Sequence, residues 1–132
     1  MPARLSVVVV IALTLFASAG CSNALNPFCG NVRPAPEIGS IAPSSVSFAD
    51  VQNGVLLTVT GSNFVPASEI VVNGKALAAT ALSSTKLQVT LNTAEITQPG
   101  PVNVKVMTPS GNSGDVGCSS GGTSSVLVLT VN

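Results

Sequence analysis

The chain has 132 residues with five basic side chains, five acidic side chains and no histidine, and only 8% of its residues are charged. Nucleic-acid binders carry a clustered basic face that neutralises phosphates, and these few scattered cations do not form one. The missing histidine excludes Ser–His and Cys–His nucleophilic arrangements and zinc sites built on histidine. We therefore expect no catalytic residues, no metal, no cofactor and no nucleic-acid partner.

The first 20 residues have the pattern of a signal peptide. Arg4 is their one charged residue, and the uncharged run from Leu5 to Gly20 is sixteen residues long. This run is short for a membrane-spanning helix, which needs about 20 apolar residues. Small residues follow its bulky part, as a signal peptidase site requires. The pattern predicts a cleaved leader over residues 1–20.

Cys21 follows directly and makes the leader resemble the lipobox of bacterial lipoproteins, although Ser18 stands where that family favours Leu, Val or Ile. The resemblance implies that the Cys21 thiol carries lipid, with palmitate-type acyl chains, and anchors the exported protein to the membrane of the cell envelope. By the same resemblance, Ser22 after the cysteine indicates the outer membrane. An ordinary secretory cleavage near Gly20 and an uncleaved anchor helix are the alternatives.

The segment 21–36 is predicted to be a tether, because its three prolines prevent a helix and it shows no periodicity. With Cys21 lipidated, Cys29 and Cys118 remain as an even pair in an oxidising compartment, which favours a disulfide between them. Closing so long a loop constrains the unfolded chain by about 4 to 5 kcal/mol. Two unpaired thiols are the alternative.

From Glu37 onward, hydrophobic residues alternate with a period of two, and no stretch of ten residues has helical periodicity. About seven short strands with turn signals between them predict an all-β sandwich over residues 37–132. Asn73-Gly74 is a strong signal for a two-residue hairpin. The expected strands are Ile38–Ile41, Val55–Thr60, Ile70–Val72, Leu77–Leu82, Leu87–Leu91, Val102–Val106 and Val126–Val131.

Motifs spread over these residues resemble the IPT/TIG domain, an immunoglobulin-like fold. They are Ile41-Ala42-Pro43-Ser44-Ser45, Leu57-Thr58-Val59-Thr60-Gly61-Ser62-Asn63-Phe64, Val71-Val72-Asn73-Gly74, Ser83-Ser84-Thr85-Lys86-Leu87 and Pro99-Gly100-Pro101-Val102-Asn103-Val104. We expect Gly61 to take a positive φ where its strand bends away, and Phe64 to fill the end of the sandwich. The family has no common catalytic or ligand-binding residues.

The last loop, Thr108 to Ser124, is longer than the short turn typical of the family and contains Cys118. In an immunoglobulin-like sandwich the start of the first strand and the last hairpin loop share one end. The resemblance therefore implies that Cys29 and Cys118 are neighbours. It also implies that this end faces the membrane, while Asn132 points away with the distal loops around Asn73-Gly74 and Gln98-Pro99.

Together these features predict a non-catalytic lipoprotein that acts as a protein-interaction or structural module at the cell envelope and binds an envelope protein. The alternative is an accessory lipoprotein that binds a ligand or glycan, which the lack of Trp and Tyr disfavours. An enzyme, which is disfavoured, would need two acidic side chains close together without a metal, or a strained serine. Asn112 and Asp115 suggest a weak calcium site, but a glycine-rich polar loop is more often simply solvated.

Overall fold

The computed structural model describes residues 32–111 and 120–132. Contacts divide the chain into residues 1–30 and 31–132, and all described residues belong to the second unit. The elements of this unit, in chain order, are β1 (Glu37–Ala42), β2 (Ser45–Val46), α1 (Phe48–Asn53), β3 (Val55–Ser62), β4 (Glu69–Val72), β5 (Lys75–Ala78), β6 (Thr80–Ser83), β7 (Lys86–Leu91), β8 (Gly100–Thr108), β9 (Gly122–Thr123) and β10 (Leu127–Val131). No helix within these ranges is long and apolar enough to cross a membrane.

Two sheets form a sandwich. The first has the order β1-β3-β7-β6, and the second has the order β2-β10-β8-β4-β5 with β9 paired to the end of β8. The pairings are antiparallel except for β2 with β10, which are parallel. This division matches the ABED and GFC sheets of the immunoglobulin fold. The predicted all-β, immunoglobulin-like sandwich is confirmed.

The core consists of the inward-facing residues of both sheets. Because side chains alternate between the faces of a strand, every second residue of β3, β7, β8 and β10 is buried. Each fully buried Val or Leu contributes about 1.5 to 3 kcal/mol through transfer out of water. The most deeply buried side chains are Val51, Leu57, Val59, Ile70, Val72, Leu87, Leu91, Ile96, Val102, Val104, Val106 and Leu129.

The described residues form ten strands, whereas the alternation predicted about seven. Two of the additional strands, β2 and β9, are only two residues long. The third arises because the expected strand Leu77–Leu82 is two strands: β5 pairs with β4 in one sheet and β6 pairs with β7 in the other. The hairpin at Asn73-Gly74 is confirmed, with φ of 49° and 85° at these two residues.

The expectation for Gly61 was wrong in its reason. The positive φ near this bend belongs to Asn63, at 62°, and not to Gly61. A Cβ on Gly61 would overlap the carbonyl oxygen of Glu37 and lie 2.7 Å from Cζ of Phe64. Glycine is therefore required by the close approach of β1 and of the buried Phe64 ring, which closes the sandwich end as expected.

The six-residue helix α1 was not predicted. Ser47 caps it: its side chain accepts a hydrogen bond from the backbone of Asp50, and the Asp50 side chain accepts one from the backbone of Ser47. Val51 is the buried residue of the helix, which ends at Gly54 with φ of 86°. Six residues are too short for a periodic hydrophobic pattern, so the capping box is the signal that marks α1 in the sequence.

The strand registers define two ends of the sandwich. At one end, which we call the arm end, Glu37 pairs with Ser62 and Thr108 pairs with Gly122. At the other, which we call the far end, Val55 pairs with Leu91, and Gly100 pairs with Val131 next to Asn132. Asn73-Gly74 and the segment from Asn92 to Pro99 also connect strands at the far end.

Candidate functional site

The three cysteines to which we assigned roles, Cys21, Cys29 and Cys118, lie outside the described residues. The same holds for Asn112 and Asp115, the residues considered for calcium. Residues from Val32 onward, which follow Cys29, and the residues that flank the segment 112–119 are described, however. They form a junction at the arm end between residues 32–36, here called the arm, and the last loop.

Backbone and side-chain hydrogen bonds hold the arm to this loop. The backbone N–H of Arg33 donates to Oγ of Ser120 at 2.9 Å, and the N–H of Gly121 donates to the Arg33 carbonyl at 2.7 Å. The Arg33 guanidinium donates to the carbonyl of Pro109 at 2.9 Å. Ser120 Oγ also accepts from the N–H of Gly111 at 3.2 Å, so this hydroxyl joins three separate segments.

Two further contacts hold the arm against the strands. Asn63 Nδ2 donates to the carbonyl of Ala35 at 3.2 Å. Ala35 also lies against Gly122, where an added Cβ would be 3.1 Å from that of Ala35. Gly121, with φ of 70°, has no room for a side chain, because a Cβ there would overlap the carbonyl oxygen of Thr108. The arm is therefore packed on both β3 and the last loop.

The junction brings together residues that are close in sequence to Cys29 and Cys118. Arg33 follows Cys29 by four residues, and Ser120 follows Cys118 by two. Both cysteines lie outside the described residues, so their pairing stays a prediction.

The described acidic residues are spread over the domain. Glu37 lies at the start of β1 and Glu69 at the start of β4, both at the arm end. Glu95 at the far end accepts a hydrogen bond from Lys75 at 3.3 Å and one from the backbone of Asn92 at 3.1 Å. Within the described residues, no three His, Cys, Asp or Glu side chains are grouped to hold a metal.

Asp50 belongs to the cap of α1. Hydrogen bonds from the side chain and backbone of Ser47 hold the pKa of this carboxyl below its ordinary value. The carboxylate is fully exposed, and its bonds are those of a helix cap. Its lowered pKa therefore has a structural cause.

Three depressions lie in the described surface. One of about 160 Å³ at the far end is lined by Asn73 and residues 95–102. A second of about 350 Å³ lies beside β1 and is lined by residues 37–39 and 60–62. The third, of about 320 Å³, lies at the arm end where β5 ends. It is lined by Pro66, Ala67, Ser68, Glu69, Ala78, Ala79 and Pro109.

Sequence reasoning treated Arg33 only as one of the scattered cations and assigned no role to Ser120. The sequence does carry a signal for the second partner, because Gly121-Gly122 directly after Ser120 indicates a backbone that approaches another segment closely. The length of the last loop indicates an unusual feature at this end. Neither signal identifies Arg33 as the residue that forms hydrogen bonds with Ser120 and Gly121.

Comparison with known families agrees with this geometry. The model of the IPT/TIG domain family matches residues 36–126. The chain belongs to the IPT/TIG domain family. TIG domains are immunoglobulin-like modules that are typically non-catalytic and serve in interactions. A search of curated proteins finds no match to the chain.

Proposed function

We propose that this chain is an exported lipoprotein, anchored by lipid on Cys21 to the cell envelope and specifically to its outer membrane. Its TIG domain acts there as a non-catalytic protein-interaction or structural module. The leader over residues 1–20 and the cysteine that follows it support the anchor. Membership of the TIG family supports the interaction role.

The observation that carries the proposal is the junction of Arg33 with Ser120 and Gly121. A tether that is bonded to one end of a sandwich leaves the opposite end and both outer sheet faces accessible to partners. The same junction supports a disulfide between Cys29 and Cys118, because it brings residues beside both cysteines to one place. With that disulfide, the free tether is only the segment between Cys21 and Cys29.

Intact mass spectrometry of the native protein from membranes, with and without reduction, tests the anchor and the disulfide together. We expect a chain that begins at Cys21 and carries acyl chains, and a gain of two hydrogen masses on reduction. The matched controls are Cys21→Ser, which loses the acyl mass, and Cys118→Ser, which loses the reduction shift.

Each alternative gives a different mass. An unlipidated chain cut near Gly20 contradicts the anchor and indicates a free exported domain. A chain that retains residues 1–20 indicates an uncleaved anchor helix. A lipidated chain whose mass does not change on reduction keeps the anchor but contradicts the disulfide.

The orientation follows from the same proposal: the arm end faces the bilayer and Asn132 faces away. Fluorophores at the exposed positions Pro66, at the arm end, and Asn132, at the far end, should be quenched unequally by lipid-borne quenchers. We expect stronger quenching at Pro66. Equal quenching at the two positions contradicts the orientation but does not contradict the lipid anchor.

A second candidate function is that of an accessory lipoprotein for a small ligand or glycan. The depression of about 160 Å³ beside Asn73 and residues 95–102 favours it, because Asn73, Thr97 and Gln98 offer polar groups there. NMR titration with monosaccharides distinguishes the two functions. Saturable shifts confined to residues 95–102 would favour ligand binding over the interaction role.

A further inference from the structure

One long side of the sandwich is formed by two consecutive edge strands, β5 and β6. Within the described residues β5 pairs only with β4, and β6 pairs only with β7. The chain passes from one sheet to the other at Ala79, between these strands. Alternate residues of an edge strand point their N–H and C=O groups away from the single neighbour. This side therefore offers unpaired backbone groups along residues 75–83.

Apart from Lys75 at the start of β5 and one bulge in β6, the β5–β6 edge lacks the features that usually prevent strand addition. Residues 76–85 contain no charge and no proline. Proteins normally protect an exposed edge with lysine, proline or inward-pointing charges. Leu82 in β6 is 54% exposed, so this edge also presents an apolar side chain to solvent. A bulge between Ala81 and Ser83 is the one irregularity of this edge.

A depression of about 320 Å³ adjoins this edge where β5 ends. Its walls are mostly apolar, and two of them, Ala78 and Ala79, belong to the edge itself. The Ser68 hydroxyl forms a hydrogen bond with the Thr108 hydroxyl at 2.9 Å and does not point to a ligand in this depression. The depression therefore presents one charge, the carboxylate of Glu69.

Glu69 has a negative charge without an ion-pair partner in the described part of the chain, where Lys75 and Glu95 form the ion pair. It lies directly opposite Ala78 in the β4–β5 register, on the same outer face. A strand added to β5 would place its nearest residue about 10 Å from Glu69, which is two strand spacings. Because Ala78 has only a methyl group, a Lys or Arg side chain can cross it and reach the carboxylate.

The direction of the strands distinguishes a second copy from another protein. Two identical edges that pair antiparallel about a two-fold axis run in opposite directions, so the arm ends of the two copies would point in opposite directions. With both copies anchored through their arms to one membrane, this arrangement is not accessible. The occupant is therefore a segment of a different protein.

We propose that the β5–β6 edge binds an extended segment of another envelope protein as an added strand, and that the one charged residue of this segment is a Lys or Arg that pairs with Glu69. This inference rests on the proposed interaction role and identifies its surface. Backbone hydrogen bonds supply the affinity of strand addition, and the basic side chain supplies its specificity.

Photo-cross-linking in the host membrane with the full chain tests this proposal. Benzoyl-phenylalanine replaces Leu82 in the edge strand β6, which is 54% exposed. The matched control replaces Leu56, which is 52% exposed and lies in β3 at the centre of the same sheet. A third position, Val128, is 51% exposed on β10 in the other sheet.

We expect an adduct from position 82 whose cross-linked site, mapped by mass spectrometry, lies in a stretch of another protein whose one charged residue is a Lys or Arg. Position 56 should not cross-link to that protein. Glu69→Gln should lower the yield at position 82 at least threefold, whereas Glu37→Gln, on the opposite side of the sandwich, should leave it unchanged.

The outcomes separate this inference from the function on which it rests. Adducts from position 128 or 56 but not from 82 overturn the edge inference and keep the interaction role. An adduct from position 82 to a second copy of the chain overturns the choice of partner. An unchanged yield in Glu69→Gln overturns the role of the basic side chain. No adduct from any of the three positions overturns both proposals.

Discussion

The two long sides of the sandwich differ, although on both sides the chain passes from one sheet to the other. The first side is formed by β1 and β2. Here β1 leads to β2 through Pro43, and the prolines of the arm precede β1. Glu37 opens this edge, and a register shift between Ile38 and Ser40 interrupts it. On the second side, β5 leads to β6 through Ala79. This side also has one charge, Lys75, and one register shift, between Ala81 and Ser83, but residues 76–85 contain neither proline nor charge.

This difference shows how one fold can protect one of its edges from strand addition and leave another edge able to bind a strand. Proline removes a backbone donor and a charged side chain resists desolvation, so both oppose strand addition. The first side is also fixed where β1 begins, because Asn63 holds the arm through Ala35. No hydrogen bond of this kind fixes the second side among the described residues, and we assign the partner to it.

The largest effect is expected from Gly61→Ala, which tests how closely the first side is packed. The new Cβ would overlap the carbonyl oxygen of Glu37 and lie 2.7 Å from Phe64 Cζ. Strain of this kind in a packed site costs about 3 kcal/mol. Urea denaturation measures the loss in free energy of unfolding.

Gly39→Ala is the control for this substitution. It lies in β1 on the same side, but its Cβ would meet the Thr60 carbonyl at 3.4 Å, which is close to ordinary contact. We expect its stability to stay within about 0.5 kcal/mol of the wild type. Equal stability of the two variants would contradict the tight β1–β3 packing.

An intermediate effect is expected from Ser47→Ala, which removes the cap of α1, the helix between β2 and β3. Loss of an N-cap serine costs about 1 kcal/mol. Ser44→Ala is the control, because Ser44 is exposed and precedes β2. If the two variants have equal stability, the capping box does not contribute.

The Ser47 cap also predicts a pH dependence. Hydrogen bonds from Ser47 lower the pKa of Asp50 from its ordinary value of 3.8. A carboxyl with a lowered pKa contributes stability that is present above its unfolded value and is lost as pH falls through its folded value. The stability difference between the wild type and Ser47→Ala should therefore narrow below about pH 3.8. A constant difference down to pH 2 would contradict the role of Asp50.

The smallest effect on stability is expected from Lys75→Met, at the start of the second side. Lys75 pairs with Glu95 at 3.3 Å, but its side chain is 55% exposed, so the loss should be below about 1 kcal/mol and decrease in high salt. This substitution also removes the one charge of β5 and β6, so sedimentation should detect more self-association. Lys86→Met, in β7, is the control. Equal association in both variants would contradict the protective role of Lys75.

Particular residues show how far the sequence predicts this fold. Leu57, Val59, Leu87 and Val89 alternate with polar residues, and each pair lies in the strand expected for it. Leu77 to Leu82 was interpreted as one strand because small residues carry little information about burial. Only the pairing with β4 and then with β7 divides it.

The candidate site was less accessible to prediction. The leader, Cys21 and the pair of Cys29 and Cys118 are visible as patterns, and they remain predictions. Arg33 contacts Ser120 across a separation of 87 residues, and no local pattern relates them. Glu69 and Ala78 are both ordinary strand residues, and their shared position beside an unpaired edge follows only from the sheet order.

The sequence by itself determined the class of the fold, because a period of two in the hydrophobic residues suits only strands with one buried face. It also determined the hairpin at Asn73-Gly74, since its positive φ values favour these residue types. Tertiary structure alone decided which strands lie at the edges, where the chain changes sheet and why Gly61 is glycine. These properties depend on contacts between residues distant in sequence, and a local pattern cannot encode the neighbour that a strand finds across the sandwich.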